Sequence, residues 1–264
     1  MSFEALVDPV IVIAQRASEQ ILKTYLTDFD IEAKEDQSPL TEADLASHRT
    51  IVEGLRELTP DLPILSEESA DIPYAERRTW TTYWLVDPLD GTKEFIKKNG
   101  EFTVNIALIK NGLPMAGVVH VPATGVTYSG CVGVGACRRE AGAQPEPIRV
   151  GSSAANPVRV VASRSHRSTA IDSYLEKLGN HEIVSMGSSL KICLVAENRA
   201  DVYPRLGLTS EWDTAAAHAV VAAAGGRIIS AESGEDLVYN SKESILNPHF
   251  IVFGDRSRNW LEYV

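Results

Sequence analysis

Apolar residues recur along residues 3–26 at intervals that place them on one stripe, which predicts a helix. A second helix is expected over residues 41–58, where Leu45, Val52, Leu55 and Leu58 keep roughly helical spacing. Thr41 is its expected N-cap, and Asp44 three residues on completes a capping-box-like pair. The period then shortens. Residues 62–65 and the run ending at Asp87 read as strands, and residues 102–109 and 115–121 as an antiparallel hairpin closed by Asn111-Gly112, the strongest short-range turn signal. The stretch 133–156 is rich in Gly, Ala, Pro and Ser and is the expected seam between residues 1–150 and 151–264. Beyond it, strand and helix patterns alternate over 158–162, 169–178, 182–185, 188–197, 200–203 and 213–224. The last is alanine-rich and is stopped by Gly225-Gly226. An α/β second half behind an α+β first half is the fold class this pattern implies.

Composition narrows the functional classes. At 264 residues, with 44% hydrophobic and 23% charged residues and no low-complexity tract, the chain can build a large core and is not dominated by disorder. The formal net charge of −11 argues against a broad basic face for nucleic acid or anionic membranes. A small phosphorylated substrate stays compatible with it, because bound divalent cations invert the potential of an acidic site. Residues 6–14 are apolar, but Asp8 and Pro9 interrupt them and no basic segment precedes them, unlike a signal peptide or membrane span. Cys131, Cys137 and Cys193 are odd in number and lack zinc-type spacing, which fits reduced thiols and a cytoplasmic location.

The densest chemistry lies in Tyr83-Trp84-Leu85-Val86-Asp87-Pro88-Leu89-Asp90-Gly91-Thr92. Here a buried strand ends in two carboxylates, Pro88 is expected to stop the ladder, Gly91 permits a tight turn, and Thr92 can open a helix over residues 93–96. Asp87 and Asp90 would converge, and paired carboxylates in a poorly hydrated place need protons or a hard cation such as Mg²⁺. A plain strand-to-helix turn capped by Asp90 or Thr92 is the simpler alternative. Glu67 and Glu68 could likewise be a solvated loop, and Asp213 a favourable charge at its helix start.

Together Glu67-Glu68, Asp87-Pro88-Leu89-Asp90-Gly91-Thr92 and Trp212-Asp213 resemble the motifs of the lithium-sensitive, Mg²⁺-dependent phosphomonoesterases that include inositol monophosphatase and fructose bisphosphatase. The resemblance continues through residues 36–44 upstream and Ala223-Ala224-Gly225-Gly226 downstream, so it spans nearly the whole chain. Ala162-Ser163-Arg164-Ser165-His166, Gly187-Ser188-Ser189-Leu190-Lys191, residues 200–205 and residues 242–248 look like the 3′(2′),5′-bisphosphate nucleotidases of the bacterial CysQ type. Ala217 stands where that family carries glycine, a change that touches only helix packing.

The resemblance implies a layered αβαβα sandwich and a hydrolase that removes the 3′-phosphate of adenosine 3′,5′-bisphosphate, giving AMP and phosphate. It implies that Glu67, Asp87 and the Leu89 carbonyl hold one Mg²⁺ and that Asp87, Asp90 and Asp213 hold another, with room for a third, weaker ion near Glu67. Asp44 would be the remote base for the attacking water, Thr92 its relay, and the amides of Gly91 and Thr92 would meet phosphate oxygens. Ser188 and Lys191, read as i and i+3 on one helix face, would contact the nucleotide together with Arg205 and His166. Lys34 is a further candidate near the site, with a salt-bridge role equally open. The readings left open are a sibling phosphatase acting on inositol monophosphate and a non-enzymatic metal-dependent nucleotide-binding protein. An aspartyl-nucleophile enzyme is disfavoured because Asp87 and Asp90 have two residues between them, not one. No nucleic-acid partner and no integral membrane association are expected, while oligomeric state and a loose attachment to the inner membrane stay open.

Overall fold

The computed structural model describes residues 2–27, 39–162 and 168–264. Two helices come first, α1 (Glu4–Tyr25) and α2 (Pro39–Leu58). The first sheet follows, formed by β1 (Ile64–Ser66), β2 (Thr82–Asp90), β3 (Thr103–Lys110), β4 (Leu113–His120), β5 (Thr127–Cys131), β6 (Gly135–Arg139) and β7 (Glu146–Ile148), hydrogen-bonded in that order. β1 and β2 run parallel, and the rest is an antiparallel meander. A short 3-10 turn, Glu67–Ser69, closes β1, α3 (Tyr74–Arg77) precedes β2, and α4 (Thr92–Ile96) follows it.

The second sheet contains β8 (Val158–Ala162), β9 (His181–Ser185), β10 (Val202–Arg205), β11 (Arg227–Ser230) and β12 (Phe250–Phe253), in the order β11-β12-β10-β8-β9. Between its strands lie α5 (Thr169–Leu178), α6 (Leu190–Ala196) and α7 (Glu211–Ala223), and a 3-10 turn over Trp260–Tyr263 ends the chain.

Alternation along the strands explains the layering. Trp84 and Val86 of β2, with Ile106 and Leu108 of β3, pack on the stripe of α1 and α2. Their neighbours Tyr83, Leu85, Ala107 and Ile109 point the other way, onto α6 and α7 and the inner face of the second sheet, where Tyr203, Phe250 and Val252 wait. Val160, Val202 and Ile251 on the outer face of that sheet pack against Ile171, Tyr174 and Leu175 of α5. The result is the expected αβαβα sandwich. Its middle helix α7 is buried almost all round, as a helix apolar on every side must be. Alanines bring it onto the sheet, and glycines receive it: a Cβ on Gly117 would stand 2.2 Å from the Ala216 carbonyl oxygen.

Several local expectations change. α2 starts at Pro39, whose fixed φ and missing N–H suit a first helical position, so Thr41 lies inside the helix and is not its cap. Pro88 does not end β2. The ladder to β3 runs from Asp87 opposite Asn105 to Asp90 opposite Thr103, with a bulge that absorbs Pro88 and Leu89. The hairpin turn is as expected, with Asn111 at φ 51° and Gly112 at φ 76°. Part of the 133–156 stretch forms β6 and β7, the edge of the first sheet. Among the described residues no helix is long and apolar enough to cross a membrane.

Candidate active site

The carboxylates arrive from separate layers. Asp87 and Asp90 flank the β2 bulge, Glu67 starts the 3-10 turn after the parallel neighbour β1, Asp44 projects from α2, and Asp213 sits in the first turn of α7. The bulge is pinned from both sides. Ser47 on α2 donates its hydroxyl to the Pro88 carbonyl (2.8 Å), and the Leu89 N–H donates to Asp87 Oδ1 (3.0 Å). Leu89 itself is buried in the outer core. Gly91, at φ 94°, turns the chain into α4, where a Cβ would press on the Glu101 carbonyl oxygen at 3.2 Å.

Asp90 is the best-held carboxylate. Its Oδ2 accepts the Ser189 N–H (2.6 Å) and longer bonds from Thr103 Oγ1 and Asn105 Nδ2, both 3.5 Å. Ser189 Oγ in turn donates to Asn105 Oδ1 and meets Thr103 Oγ1, each at 2.9 Å. Thr103 and Asn105 are not among the sequence candidates, and Ser189 stands there only within the motif of residues 187–191 with no role of its own, because each reaches Asp90 through the fold. Ser188, at φ 45°, lies in a left-handed conformation before α6 begins at Leu190. The expected i, i+3 pair with Lys191 on one helix face is therefore wrong, since a right-handed helix cannot include that residue. The turn instead aims the Ser189 N–H at Asp90.

An open cleft of about 150 Å³ brings Asp90, Gly91, Ser188, Lys191, Arg205 and Asp213 together. Lys191 Nζ stands 6.0 Å from the centre of the Tyr203 ring, and Arg205 donates to the Leu208 carbonyl (2.7 Å) while its buried Nε has no partner among the described residues. Thr92 follows Gly91 at the start of α4, and α2 with Asp44 packs on that helix. His166 and Lys34 lie outside the described residues.

Burial sets the electrostatics. Asp87 is only 1% exposed, and desolvation, followed by Asp90, Glu67 and Asp213, drives its carboxyl well above the ordinary range. Burial and Asp90 push Asp213 up to about 7, although the Ser210 N–H that it caps (2.9 Å) works the other way. Burial, with Glu68 and Glu67, pushes Asp44 up to about 8, and Asp44 Oδ1 is buried without a partner. Glu67 is raised by burial and by Glu68, and Asp90 by burial against the pull of Lys191. Lys191 is lowered by burial, a shift that Asp90 opposes.

Among the described residues no three His, Cys, Asp or Glu side chains converge at metal-ligating distance. The carboxylates instead repel one another: Asp90, Glu67, Asp213 and Asp44 all raise Asp87, and Glu68 and Glu67 raise Asp44. Such a cluster is relieved by protons or by a cation. An all-oxygen donor set, an orphaned buried carboxylate oxygen and mutual repulsion fit a hard divalent ion of the Mg²⁺ type, which takes one or two carboxylates and keeps several waters.

The profile of the inositol monophosphatase family matches residues 5–257. The chain belongs to that family. The 3′(2′),5′-bisphosphate nucleotidase CysQ of Escherichia coli (strain K12) is 51% identical over 250 residues, covering 94% of this chain and 99% of that protein. The protein of that description from Haemophilus influenzae is 36% identical over 258 residues, 97% and 96% of the two chains. Among family structures, the crystal structure of CysQ from Bacteroides thetaiotaomicron superposes with a TM-score of 0.88 at 45% identity, covering 96% of this chain and 98% of that one. An inositol monophosphatase from Anabaena, 24% identical with a TM-score of 0.78, shares the family fold.

Proposed function

We propose that the chain is a 3′(2′),5′-bisphosphate nucleotidase that hydrolyses the 3′-phosphate of adenosine 3′,5′-bisphosphate to leave AMP and inorganic phosphate. The observation that carries this reading is one cleft lined both by Asp90 and Asp213 and by Lys191 and Arg205, in a chain 51% identical to a named nucleotidase of this kind. A nucleoside bisphosphate needs both sides: an acidic station where one phosphate is cut, and a cationic one where the other is held.

Glu67, Asp87, Asp90, Asp213 and the Leu89 carbonyl would hold two Mg²⁺ ions, with a third, weaker ion near Glu67. When bound, the ions supply charge neutralisation on the phosphate and acidify the attacking water. Asp44 would receive a proton from that water through the Thr92 hydroxyl, a role suited to a buried carboxyl whose raised proton affinity makes it the stronger base once ionised. The amides of Gly91 and Thr92 face the phosphate oxygens. Ser188, Lys191, Arg205 and His166 hold the nucleotide and its 5′-phosphate away from the carboxylates, which fixes which phosphate is cut. Three cysteines free of disulfides fit a cytoplasmic enzyme.

The test is a panel at fixed Mg²⁺ containing adenosine 3′,5′-bisphosphate, adenosine 2′,5′-bisphosphate, inositol 1-phosphate and fructose 1,6-bisphosphate. The expected outcome is highest kcat/KM for the adenosine bisphosphates, with AMP that keeps its 5′-phosphate as product. Preference for inositol 1-phosphate, or release of adenosine 3′-monophosphate, overturns the reading.

A further inference from the structure

The segment from Tyr239 to Asn247 crosses the first turn of α7 like a strap. The Asn240 N–H donates to Glu211 Oε2 (2.8 Å), and the Glu211 N–H donates to the Ile245 carbonyl (2.8 Å). Asn247 Nδ2 donates to the Ser210 carbonyl (2.8 Å) and to Thr214 Oγ1 (3.1 Å). The Tyr239 hydroxyl meets Thr214 Oγ1 at 3.3 Å and His218 Nδ1 at 2.9 Å. Asp213 belongs to the turn that these bonds enclose.

The strap is itself held by side chains from a distant part of the sequence: the Tyr74 hydroxyl donates to the Ser241 carbonyl (3.0 Å), and Arg77 makes the larger set of bonds. Arg77, at the end of α3, donates to Asn240 Oδ1 (2.5 Å), to the Lys242 carbonyl (3.2 Å) and to the Glu243 carbonyl. Asn240 returns a bond from its Nδ2 to the Arg77 carbonyl (2.6 Å). Arg77 is 3% exposed and Glu211 1%. Asn240 sits at φ 53°, a left-handed conformation that asparagine tolerates, so one residue faces the guanidinium with its side chain and Glu211 with its backbone. A buried guanidinium and a buried carboxylate joined through one asparagine are a costly way to gain stability, since apolar packing of similar volume does as well. What such a fork supplies is a fixed geometry.

We propose that Arg77 is a positioning residue for the cation site: through Asn240 and Glu211 it fixes the first turn of α7, and with it the Asp213 carboxylate. This rests on the reading of Asp213 as a cation ligand. Partners one bond removed from a ligand typically change metal affinity by about ten- to a hundredfold when lost, and Arg77, which acts through Asn240 and Glu211, belongs at the lower end of that range. A lysine at position 77 keeps the charge near Glu211 but cannot serve Asn240, Lys242 and Glu243 together.

The experiment is a calorimetric titration of the metal-stripped full chain with MgCl₂, run beside the Mg²⁺ dependence of phosphate release. Arg77→Ala is expected to raise the Mg²⁺ Kd by about tenfold, Arg77→Lys to fall between it and the wild type, and half-maximal activity to move by the same factor. Leu175→Ala, which weakens the outer helix α5, should lower Tm and leave the Mg²⁺ Kd unchanged. If Arg77→Ala does not fold, Asn247→Ala removes the links to Ser210 and Thr214 and is read the same way. A wild-type Mg²⁺ Kd in a folded Arg77→Ala or Asn247→Ala protein overturns the inference. Asp213→Asn with wild-type Mg²⁺ affinity would instead overturn the cation reading on which it rests.

Discussion

Replacing Asp213 by asparagine is expected to make the metal-free protein more stable while nearly abolishing turnover. Asparagine keeps an oxygen to accept the Ser210 N–H, so the cap of α7 survives and only the charge is lost. Asp213 is raised from 3.8 to about 7, so between those values the native state binds a proton that the unfolded chain releases. Stability therefore falls as pH rises through that window and levels off above about 7. The penalty comes to roughly 4 kcal/mol at pH 8.5 and roughly 1.5 kcal/mol at pH 5, at 1.36 kcal/mol per pKa unit.

For a chain of this length, about 1 kcal/mol moves Tm by roughly 2 °C. In excess chelator, Asp213→Asn should then melt about 8 °C above the wild type at pH 8.5 and about 3 °C above it at pH 5. Adding Mg²⁺ should narrow or reverse the difference, since the wild type gains the ligand that the variant lacks. Differential scanning calorimetry at the two pH values, with and without chelator, reads all of this. A metal-free variant less stable than the wild type at pH 8.5, or a gain independent of pH, refutes the repulsive cluster.

Losing one charged contact costs about 1.5–3 kcal/mol, so Lys191→Ala should lower kcat/KM for adenosine 3′,5′-bisphosphate by roughly ten- to a hundredfold and affect inositol 1-phosphate much less; equal losses on both would displace Lys191 from the nucleotide site. Lithium in the millimolar range should inhibit Mg²⁺-dependent phosphate release, as the family resemblance implies, and an unchanged rate would count against that inheritance. Burial holds His120, paired with Thr127 at 2.8 Å, down to about 4, so it stays neutral in the fold while the unfolded chain takes a proton below about 6.5. Its contribution, roughly 3 kcal/mol, is present above pH 6.5 and is lost as pH falls towards 4; urea unfolding of His120→Gln should lack that slope, and matching slopes would refute it.

The parts of the site that were legible in the sequence are those written locally. Asp87, Pro88, Asp90 and Gly91 lie within five residues of one another, and a strand end followed by a turn can be read from them without knowing the partner strand. Even there the local reading failed at Pro88, because a bulge depends on what β3 presents opposite it. Asp213 reads as the start of an alanine-rich helix, and it is the resemblance of Trp212-Asp213 to the family motif that makes it a candidate ligand. By contrast, the groups that hold Asp90 come from Thr103, Asn105 and Ser189, the last of them 99 residues away. No period or spacing marks them. Strands β5, β11 and β12 passed unnoticed for a related reason: they are four or five residues long, and what makes them strands is the sheet edge each one meets.

The placing of the acids also accounts for how an anionic protein handles an anionic substrate. Strand ends and a helix start converge on the site, and the burial that makes the core also strips water from Asp44, Asp87 and Asp213. Every shift there is upward, so the metal-free fold carries a destabilising charge cluster that relaxes only by taking up protons. A divalent cation competes with those protons, and its affinity is drawn from the repulsion that it relieves. Lining the same cleft with Lys191 and Arg205 adds no net attraction until the acids are neutralised, because Asp90 already draws on Lys191. On the proposed function, both cations are then left for the second phosphate of the substrate. Cation binding would thus come before productive substrate binding, and the preference for a bisphosphate would follow from which charges on the cleft wall the cation leaves unpaired.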